Sequence, residues 1–325
     1  MAEQDGSPAI PPWRRTTASG ASWWTTNYQP GVPVDIELPT EPLTALLDKA
    51  VRDGCTEVAT QFFGAEMTYR QLGDRVARAA EGLRRLGVTA GDRVAILLPN
   101  CPQHLVAFHA VVRLGAVVVE HNPLYTAAEL EKLFEDHGAR VAIAMDSVID
   151  RIDEMSKYSR PRIVVAVNLL KALPRKLRIA LSLPIPALRK QRAALTSGTK
   201  GTLSWESLLS SRRLASSHPK PGLHDLAAIQ YTSGTTGRAK GAMLTHYNLF
   251  ANARQGEAWM VGAEPGKETS YAALPMFHSF GVTMHTTFGV LKRARQVLFP
   301  KPDIKLILAA AKKNPPSIYC VVPTL

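Results

Sequence analysis

Short apolar runs alternate with helical segments along most of this chain, and that alternation constrains the fold more than any other feature. Runs rich in Val, Ile and Ala lie at 93–98, 141–145 and 163–167, with amphipathic segments between them. Strands that are apolar throughout are typical of a sheet covered on both faces, and intervening helices favour parallel pairing. The alternation predicts an α/β fold: two βαβ-type subdomains with mixed, largely parallel sheets flanked by helices.

Periodicity and capping residues place most of the helices and strands. Thr68 precedes a predicted helix over 69–86, and Thr245 opens one over 245–260; threonine in this position caps the first helical turn. Further helices are expected at 42–52, 103–114, 126–137, 147–156 and 304–313. Further strands are expected at 58–63, 66–68, 116–120, 227–231, 271–274, 296–299 and 317–321.

Changes in composition divide the chain into four parts. Residues 1–38 are rich in Pro, Thr, Ser and Gly, which predicts an irregular N-terminal arm. Residues 39–168 form the first predicted α/β subdomain, and 169–222 a basic insert interrupted by prolines. The alternation resumes in 223–325, the start of a second α/β subdomain that the end of the chain truncates.

Composition excludes several classes of protein. Of 325 residues, 46% are hydrophobic and 20% charged, as in packed globular proteins. The three cysteines lie too far apart for a CxxC metal or redox motif, and an odd count does not suit a disulfide framework. No leader peptide and no apolar run of about 18 residues is evident. We therefore expect a cytoplasmic protein without a bound structural metal.

The net charge of +12 comes almost wholly from one segment. Between Glu154 and Glu206 there is no acidic residue, and eleven are basic. Basic residues interleaved with Leu, Ile and Pro are compatible with peripheral contact to an anionic membrane through 157–200, at the inner surface, and equally with a solvated loop. Aromatic residues for base stacking are scarce there, so we predict no nucleic acid partner.

The segment Tyr231-Thr-Ser-Gly-Thr-Thr-Gly-Arg-Ala-Lys-Gly241 follows an apolar strand directly. Glycines let backbone N–H groups converge on an anion, hydroxyls add donors, and a lysine adds positive charge. A triphosphate needs this combination, although the spacing is not that of a Walker A loop. The candidate phosphate-binding residues are Thr232, Ser233, Gly234, Thr235, Thr236, Gly237 and Lys240.

These residues resemble the signature loop of adenylate-forming enzymes, the group that holds acyl-CoA synthetases, firefly luciferase and peptide-synthetase adenylation domains. Ala239 stands where proline is usual. Leu274-Pro-Met-Phe-His-Ser-Phe-Gly281 is similar to the PxFHxxG segment at the family's acyl pocket, and Asn122-Pro-Leu-Tyr125 resembles long-chain fatty acyl-CoA synthetases. The resemblance covers residues 40–325 and implies the fold of the N-terminal core of this family, incomplete here.

The resemblance implies a two-step ligation of a carboxylic acid to coenzyme A. ATP and the acid give acyl-AMP and pyrophosphate, and the CoA thiol then displaces AMP; Mg²⁺ accompanies the ATP. By analogy Lys240, Thr236 and His278 are the catalytic residues, and the loop cradles the phosphates. The implied substrate is a fatty acid, of long chain length. The pocket residues implied by the second motif are Phe277, His278, Phe280, Gly281 and Val282.

The family's later motifs, which hold adenine, ribose and Mg²⁺, have no counterpart before Leu325. We therefore expect residues 1–325 alone to show negligible ligase turnover. Other interpretations remain open: a binding-only remnant, an aryl-CoA ligase, or a peptide-synthetase adenylation domain.

Overall fold

The computed structural model describes residues 23–197, 202–232 and 239–322, and in this part of the chain twelve strands form two sheets. The strands are β1 (Val58–Phe62), β2 (Ala65–Thr68), β3 (Arg93–Leu97), β4 (Val117–Glu120), β5 (Val141–Met145), β6 (Ile163–Val167), β7 (Leu203–Ser204), β8 (Leu226–Thr232), β9 (Lys240–Thr245), β10 (Thr269–Ala272), β11 (Arg295–Leu298) and β12 (Ile318–Tyr319).

Helices cover the sheets and connect most of the parallel strands. They are α1 (Thr44–Asp53), α2 (Tyr69–Arg85), α3 (Pro102–Arg113), α4 (Ala127–His137), α5 (Ile149–Asp153), α6 (Arg175–Ser182), α7 (Pro186–Ala193), α8 (Trp205–Leu209), α9 (His246–Trp259), α10 (Ser279–Gly281), α11 (Gly289–Leu291) and α12 (Ile304–Ala311). Short 3-10 turns lie at Trp23–Asn27, Asp146–Val148 and Leu169–Ala172, and a π-helix, Val282–Phe288, joins α10 to α11.

The larger sheet has seven strands in the order β7-β6-β5-β3-β4-β8-β9. Every neighbouring pair is parallel except β8–β9, which is antiparallel. All of β4 and β5 and nearly all of β3 are buried, as expected for strands covered on both faces. The predicted mixed, largely parallel α/β fold is confirmed.

The smaller sheet has five strands in the order β12-β10-β11-β1-β2. Its first hairpin, β1–β2, comes from the beginning of the chain, and β1 pairs in parallel with β11 near the end. Conversely, β8 lies beside β4 in the larger sheet. Both sheets therefore combine early and late chain segments, and the boundaries drawn from composition remain a prediction.

The predicted helix starts at Thr68 and Thr245 are confirmed in atomic detail. Each threonine accepts a hydrogen bond from the backbone N–H three residues on, and the side chain at that position, Gln71 or Asn248, accepts one from the threonine N–H. Such a reciprocal pair satisfies two otherwise unpaired donors. The expected helix over 147–156 differs: a 3-10 turn comes first and α5 is short.

The basic insert contains two short helices that composition alone did not place. α6 follows Pro174, and α7 has Pro186 in its first turn, where proline is tolerated because its missing N–H would be unpaired anyway. Leu177 and Leu181 lie four residues apart on α6 and face inward, whereas Ile179 is 58% exposed. The insert therefore presents an apolar side to the protein and a basic side to solvent.

Candidate functional site

A cavity of about 860 Å³ lies where strands of both sheets end. Segments that follow β3, β4, β5, β10 and β11 line it, and α6 and the end of α7 close it on the outer side. In α/β proteins the carboxyl ends of parallel strands are the usual place for a ligand. We call this space the apolar cavity. Its lining includes Val148, Leu169, Leu173, Leu177, Leu181, Leu195, Ala273, Phe277 and Phe299.

The candidate phosphate-binding segment lies between β8 and β9. Thr232 and Lys240 are partners across this antiparallel pair, and both are exposed. Seven residues separate them, so the strand pair brings the two ends of the segment together at the carboxyl end of β8. Ser233, Gly234, Thr235, Thr236 and Gly237 lie outside the described residues.

Side-chain contacts of β8 support the strand pair. The Tyr231 hydroxyl donates to Oδ2 of Asp136 over 2.5 Å. Burial, and then this hydrogen bond, raise the pKa of Tyr231, so it stays a neutral donor. A Cβ on Gly241 would lie 2.9 Å from the Ile229 side chain and 3.2 Å from the Tyr231 ring, so glycine at this position leaves room for these two side chains of β8.

The segment after β10 carries the remaining predicted pocket residues, and they separate into two groups. Phe277 lines the apolar cavity, and Gly281 and Val282 are buried, whereas His278 and Phe280 are exposed. The His278 ring lies against that of Phe277, with 4.8 Å between centroids. Partial burial of the His278 ring lowers its pKa, so the imidazole is neutral near pH 7.

A hydrogen bond joins this segment to the strand that precedes the candidate phosphate loop. Nε2 of Gln230, two residues before Thr232 on β8, donates to the carbonyl of Phe277 over 2.8 Å. This hydrogen bond therefore connects the wall of the apolar cavity to the strand that ends at Thr232. Sequence reasoning missed Gln230, although a glutamine inside an otherwise apolar strand was a signal for it.

Asn100 is a second residue that the sequence analysis missed, and it joins the two sheets. Nδ2 of Asn100, which follows β3, donates to the carbonyls of Ala272 and Leu274, each at 2.8 Å. Its Oδ1 accepts from the Met276 N–H at 2.7 Å. A buried amide that uses both donors and its acceptor fixes the segment before Phe277 relative to the larger sheet.

A completely buried histidine–carboxyl pair lies next to the same region. Nε2 of His104 is 3.0 Å from Oε1 of Glu120, and both side chains are completely buried. Burial alone would lower the pKa of His104, but the Glu120 carboxylate outweighs it and raises that pKa. Burial, and then His104, lower the pKa of His285 on the π-helix to about 4. The hydrogen-bonded pair and His285 therefore form a buried polar cluster that supports this part of the structure.

Two absences within the described residues bear on metal binding and on membrane insertion. In residues 23–197, 202–232 and 239–322, no three His, Cys, Asp or Glu side chains group closely enough to hold a metal ion. In the same ranges, no helix has the length and apolar character needed to cross a bilayer.

Residues 47–325 match the model of a family described as AMP-binding enzyme. The long-chain-fatty-acid–CoA ligase of Bacillus subtilis is 29% identical over 305 residues, and that of Salmonella typhimurium is 31% identical over 307. Each alignment covers 93% of this chain and 54% of the relative. The chain therefore spans about half the length of the curated relatives it matches.

Solved structures share the fold at lower identity. A long-chain-fatty-acid–CoA ligase from Archaeoglobus fulgidus superimposes with a TM-score of 0.72 at 22% identity, covering 92% of this chain and 55% of the other. An anthranilate CoA ligase bound to anthranoyl-AMP gives 0.72 at 22% identity, covering 87% and 50%. Because the family model matches most of this chain, the chain belongs to the AMP-binding enzyme family, an adenylate-forming group that includes acyl-CoA ligases.

Proposed function

We propose that this chain is the acid- and phosphate-binding part of a long-chain fatty acid–CoA ligase. The observation that carries the proposal is the Gln230–Phe277 hydrogen bond, which joins the strand leading into the candidate phosphate loop to the wall of the apolar cavity. A carboxylate at the mouth of the cavity and a phosphate at the loop would then lie side by side. Catalysis of acyl-adenylate formation is largely this kind of positioning.

The size and lining of the apolar cavity favour an aliphatic acid. Small-molecule sites commonly measure about 300–1,000 Å³, and this cavity, at about 860 Å³, is near the upper end. Leucines from three parts of the basic insert form much of its outer wall: Leu169, Leu173, Leu177, Leu181 and Leu195. A long apolar wall suits an alkyl chain better than a single aromatic ring, and the relatives named as long-chain ligases agree.

The residues at the mouth have distinct roles in this proposal. The exposed Lys240 ammonium neutralises phosphate charge, and Thr232 donates from the opposite strand. Ser233, Gly234, Thr235, Thr236 and Gly237 supply the backbone and hydroxyl donors between them. His278, neutral near pH 7, orients the acid by hydrogen bonding beside Phe277 rather than by charge. Phe280, Gly281 and Val282 shape the turn that carries Phe277 and His278.

ATP supplies the phosphoryl chemistry when bound, and the glycines, hydroxyl residues and Lys240 of the candidate loop are residue types that suit its phosphates. The described residues offer no carboxylate cluster for Mg²⁺. No residue is proposed here for Mg²⁺ or for coenzyme A. Because the chain spans about half of its relatives, we expect the 325 residues by themselves to bind acid without measurable turnover.

Palmitate binding to two tryptophan variants of helix α6 tests the proposal. Leu177→Trp fills the apolar cavity from its outer wall, and Ile179→Trp places the same side chain on the exposed face of the same helix. By isothermal titration calorimetry we expect Leu177→Trp to weaken palmitate at least about tenfold because overpacking closes the site, and Ile179→Trp to leave it unchanged. Equal affinity in both variants and the unaltered chain would reject the cavity as the acyl site.

The same titration separates a fatty acid ligase from an aryl-CoA ligase. We expect affinity to rise from octanoate to palmitate, since each buried methylene contributes about 0.8 kcal/mol. Benzoate binding more tightly than palmitate would favour the aryl alternative, which the anthranilate CoA ligase among the structural neighbours represents.

We also propose that the basic insert contacts anionic membranes. Ile179, Leu183 and Ile185 are exposed beside Arg175, Lys176, Arg189 and Lys190. Exposed apolar side chains among basic ones suit the interface of an anionic bilayer. The outer wall of the apolar cavity would then face the phase in which long-chain acids partition.

Vesicle co-sedimentation tests the membrane proposal. We expect binding to vesicles that contain phosphatidylglycerol and none to phosphatidylcholine vesicles. The double variant Arg189→Gln/Lys190→Gln should lose about thirtyfold in affinity, because each basic residue contributes about 1 kcal/mol. Lys312→Gln/Lys313→Gln, which removes an exposed basic pair elsewhere, is the control. Equal loss in both variants would indicate a general charge effect and no docking face.

A further inference from the structure

Three arginines lie side by side at the amino-terminal ends of three neighbouring strands. Val94 of β3 is the partner of Val141 of β5, and Val141 is the partner of Ile163 of β6. Arg93, Arg140 and Arg162 each stand one residue before these positions, so they occupy the same register. Neighbouring strands are about 4.8 Å apart. The sheet therefore presents a row of three guanidinium side chains, which we call the arginine row.

The arginine row lines a cavity of about 260 Å³. Gly87, Gly91 and Gly138 also line it, and an added Cβ on any of them would meet no atom within 4 Å. The three glycines have positive φ values of 89°, 81° and 60°, so they form the turns at its rim without filling the space. A small polar space is thus kept open over the arginine row.

No ion pair within the described residues compensates the arginine row. No ion pair there involves Arg93, Arg140 or Arg162. Arg93 donates from its guanidinium to the His137 carbonyl at 3.0 Å. Asp92 also lines the cavity, but its Oδ2 accepts from Thr89, both from the backbone N–H and from the hydroxyl, each at 2.8 Å.

Like charges on directly opposed strand positions repel and destabilise a sheet unless something compensates them. Guanidinium groups match phosphate oxygens in a planar, two-pronged geometry, and several together select multiply charged anions. We propose that the arginine row is a binding site for a small anion that carries a diphosphate group. The three arginines and Asp92 together carry a net charge of +2, so a single carboxylate would leave one positive charge, whereas a diphosphate, with at least two negative charges, leaves none.

The position of the row separates it from the candidate phosphate loop. β3, β4 and β8 run parallel. Thr232 lies at the carboxyl end of β8 and Arg93 at the amino-terminal end of β3, so the two residues are at opposite ends of the strands. One anion cannot contact both. The inference is therefore independent of the proposed ligase function, and the two fail separately.

Titration calorimetry with inorganic pyrophosphate, without metal and at low ionic strength, tests the inference. Arg140→Gln/Arg162→Gln removes two guanidinium groups that make no hydrogen bond in the described residues. The double variant keeps the hydrogen bond from Arg93 to the His137 carbonyl. We expect at least about a tenfold loss of affinity, because each charge-assisted bond contributes strongly. Arg160→Gln removes a nearby exposed charge that does not line the cavity, and we expect its affinity to stay within twofold of the unaltered chain.

Two further measurements make the result decisive. Without anion, the double variant should unfold at the same or a higher temperature, because repulsion is relieved; with pyrophosphate it should gain less than the unaltered chain. Lys240→Ala should keep the arginine-dependent binding. The inference would be overturned if Lys240→Ala abolished pyrophosphate binding while the double variant bound as tightly as the unaltered chain. Equal losses of affinity in the double variant and in Arg160→Gln would overturn it too. If ADP competes with pyrophosphate, the ligand of the site is a nucleoside diphosphate. If ADP does not compete, the ligand is a free anion.

Discussion

His137 donates a hydrogen bond from Nε2 to Nε2 of His121 across 3.0 Å. The direction follows from the other ring nitrogen: the Ala139 N–H donates to Nδ1 of His137 at 3.0 Å, so that nitrogen carries no proton. His121 must then accept at Nε2 and carry its proton on Nδ1, which has no partner among the described residues. Both rings lie near Tyr231, directly before Thr232.

The histidine pair leads to a prediction for nuclear magnetic resonance. Burial lowers the pKa of His121, and lowers that of His137 to about 4. We expect ring ¹⁵N shifts at pH 7 to show neutral His121 protonated on Nδ1 and neutral His137 protonated on Nε2. His224, which is exposed and lies outside the pair, is the internal comparison. The opposite tautomers, or a charged ring at pH 6, would contradict the assignment.

Stability should fall as the pH is lowered from 7 to 5. The pKa of His137 is about 4 when folded against an ordinary 6.5, so the unfolded chain takes up protons first in this window. The stability is therefore fully present above about pH 6.5 and lost as pH falls toward 4. Linkage gives about 2 kcal/mol lost per such histidine between pH 7 and 5.

Urea unfolding at the two pH values measures that loss. His137→Gln should reduce the pH dependence, whereas His224→Gln, at an exposed site, should leave it as it is. Burial also lowers the pKa of His109 and of His246 to about 4, so part of the dependence should survive in His137→Gln. A pH dependence identical in all three proteins would contradict the prediction.

Asn100→Asp should destabilise the protein strongly. The substitution keeps the shape but replaces two donated hydrogen bonds, to Ala272 and Leu274, with a carboxylate facing two carbonyls. We expect a loss of about 3 kcal/mol or more, since each buried unsatisfied group costs about 1–3 kcal/mol. Chemical denaturation measures it, with the exposed Asn252→Asp as control, where we expect less than about 0.5 kcal/mol.

Gly281→Ala should be destabilising for a steric reason. The backbone at Gly281 is helical, with φ −66°, so alanine could adopt it, but its Cβ would lie 1.9 Å from the Pro275 carbonyl oxygen. Relieving that clash requires the turn after β10 to move, at a cost of about 1–3 kcal/mol.

The matched control is Gly256→Ala within α9. A Cβ there would lie 3.4 Å from Phe288, an ordinary contact, and alanine favours the helix by about 1 kcal/mol. Thermal unfolding should therefore separate the two variants in opposite directions. A stable Gly281→Ala protein would mean that the turn rearranges freely, and it would remove the steric argument for glycine at this place.

Local signals in the sequence were enough for most elements of the fold. The runs at 93–98, 141–145 and 163–167 became β3, β5 and β6 because fully apolar strands are buried on both faces. Thr68 and Thr245 identified their helix starts because capping depends on neighbours three residues away. Such signals lie within a few residues of the feature they determine.

Other features depend on contacts that the sequence does not display. The partners of Asn100 lie at the end of β10 and just after it, more than 170 residues later. The pairing of β1 with β11 and the π-helix at Val282–Phe288 likewise have no local pattern. The apolar side of the basic insert was overlooked because its charge dominates the composition, although Leu177 and Leu181 have helical spacing.

Strand β1 lies between β2 and β11, and β11 begins at Arg295. The hairpin at residues 58–68 therefore leaves the ribosome more than 200 residues before its second neighbour exists. At synthesis rates of about 5–20 residues per second, the unpaired edge of β1 waits for roughly tens of seconds. An exposed strand edge is a template for wrong pairing. Nascent chains of this protein are thus expected to depend on chaperones until translation passes residue 298.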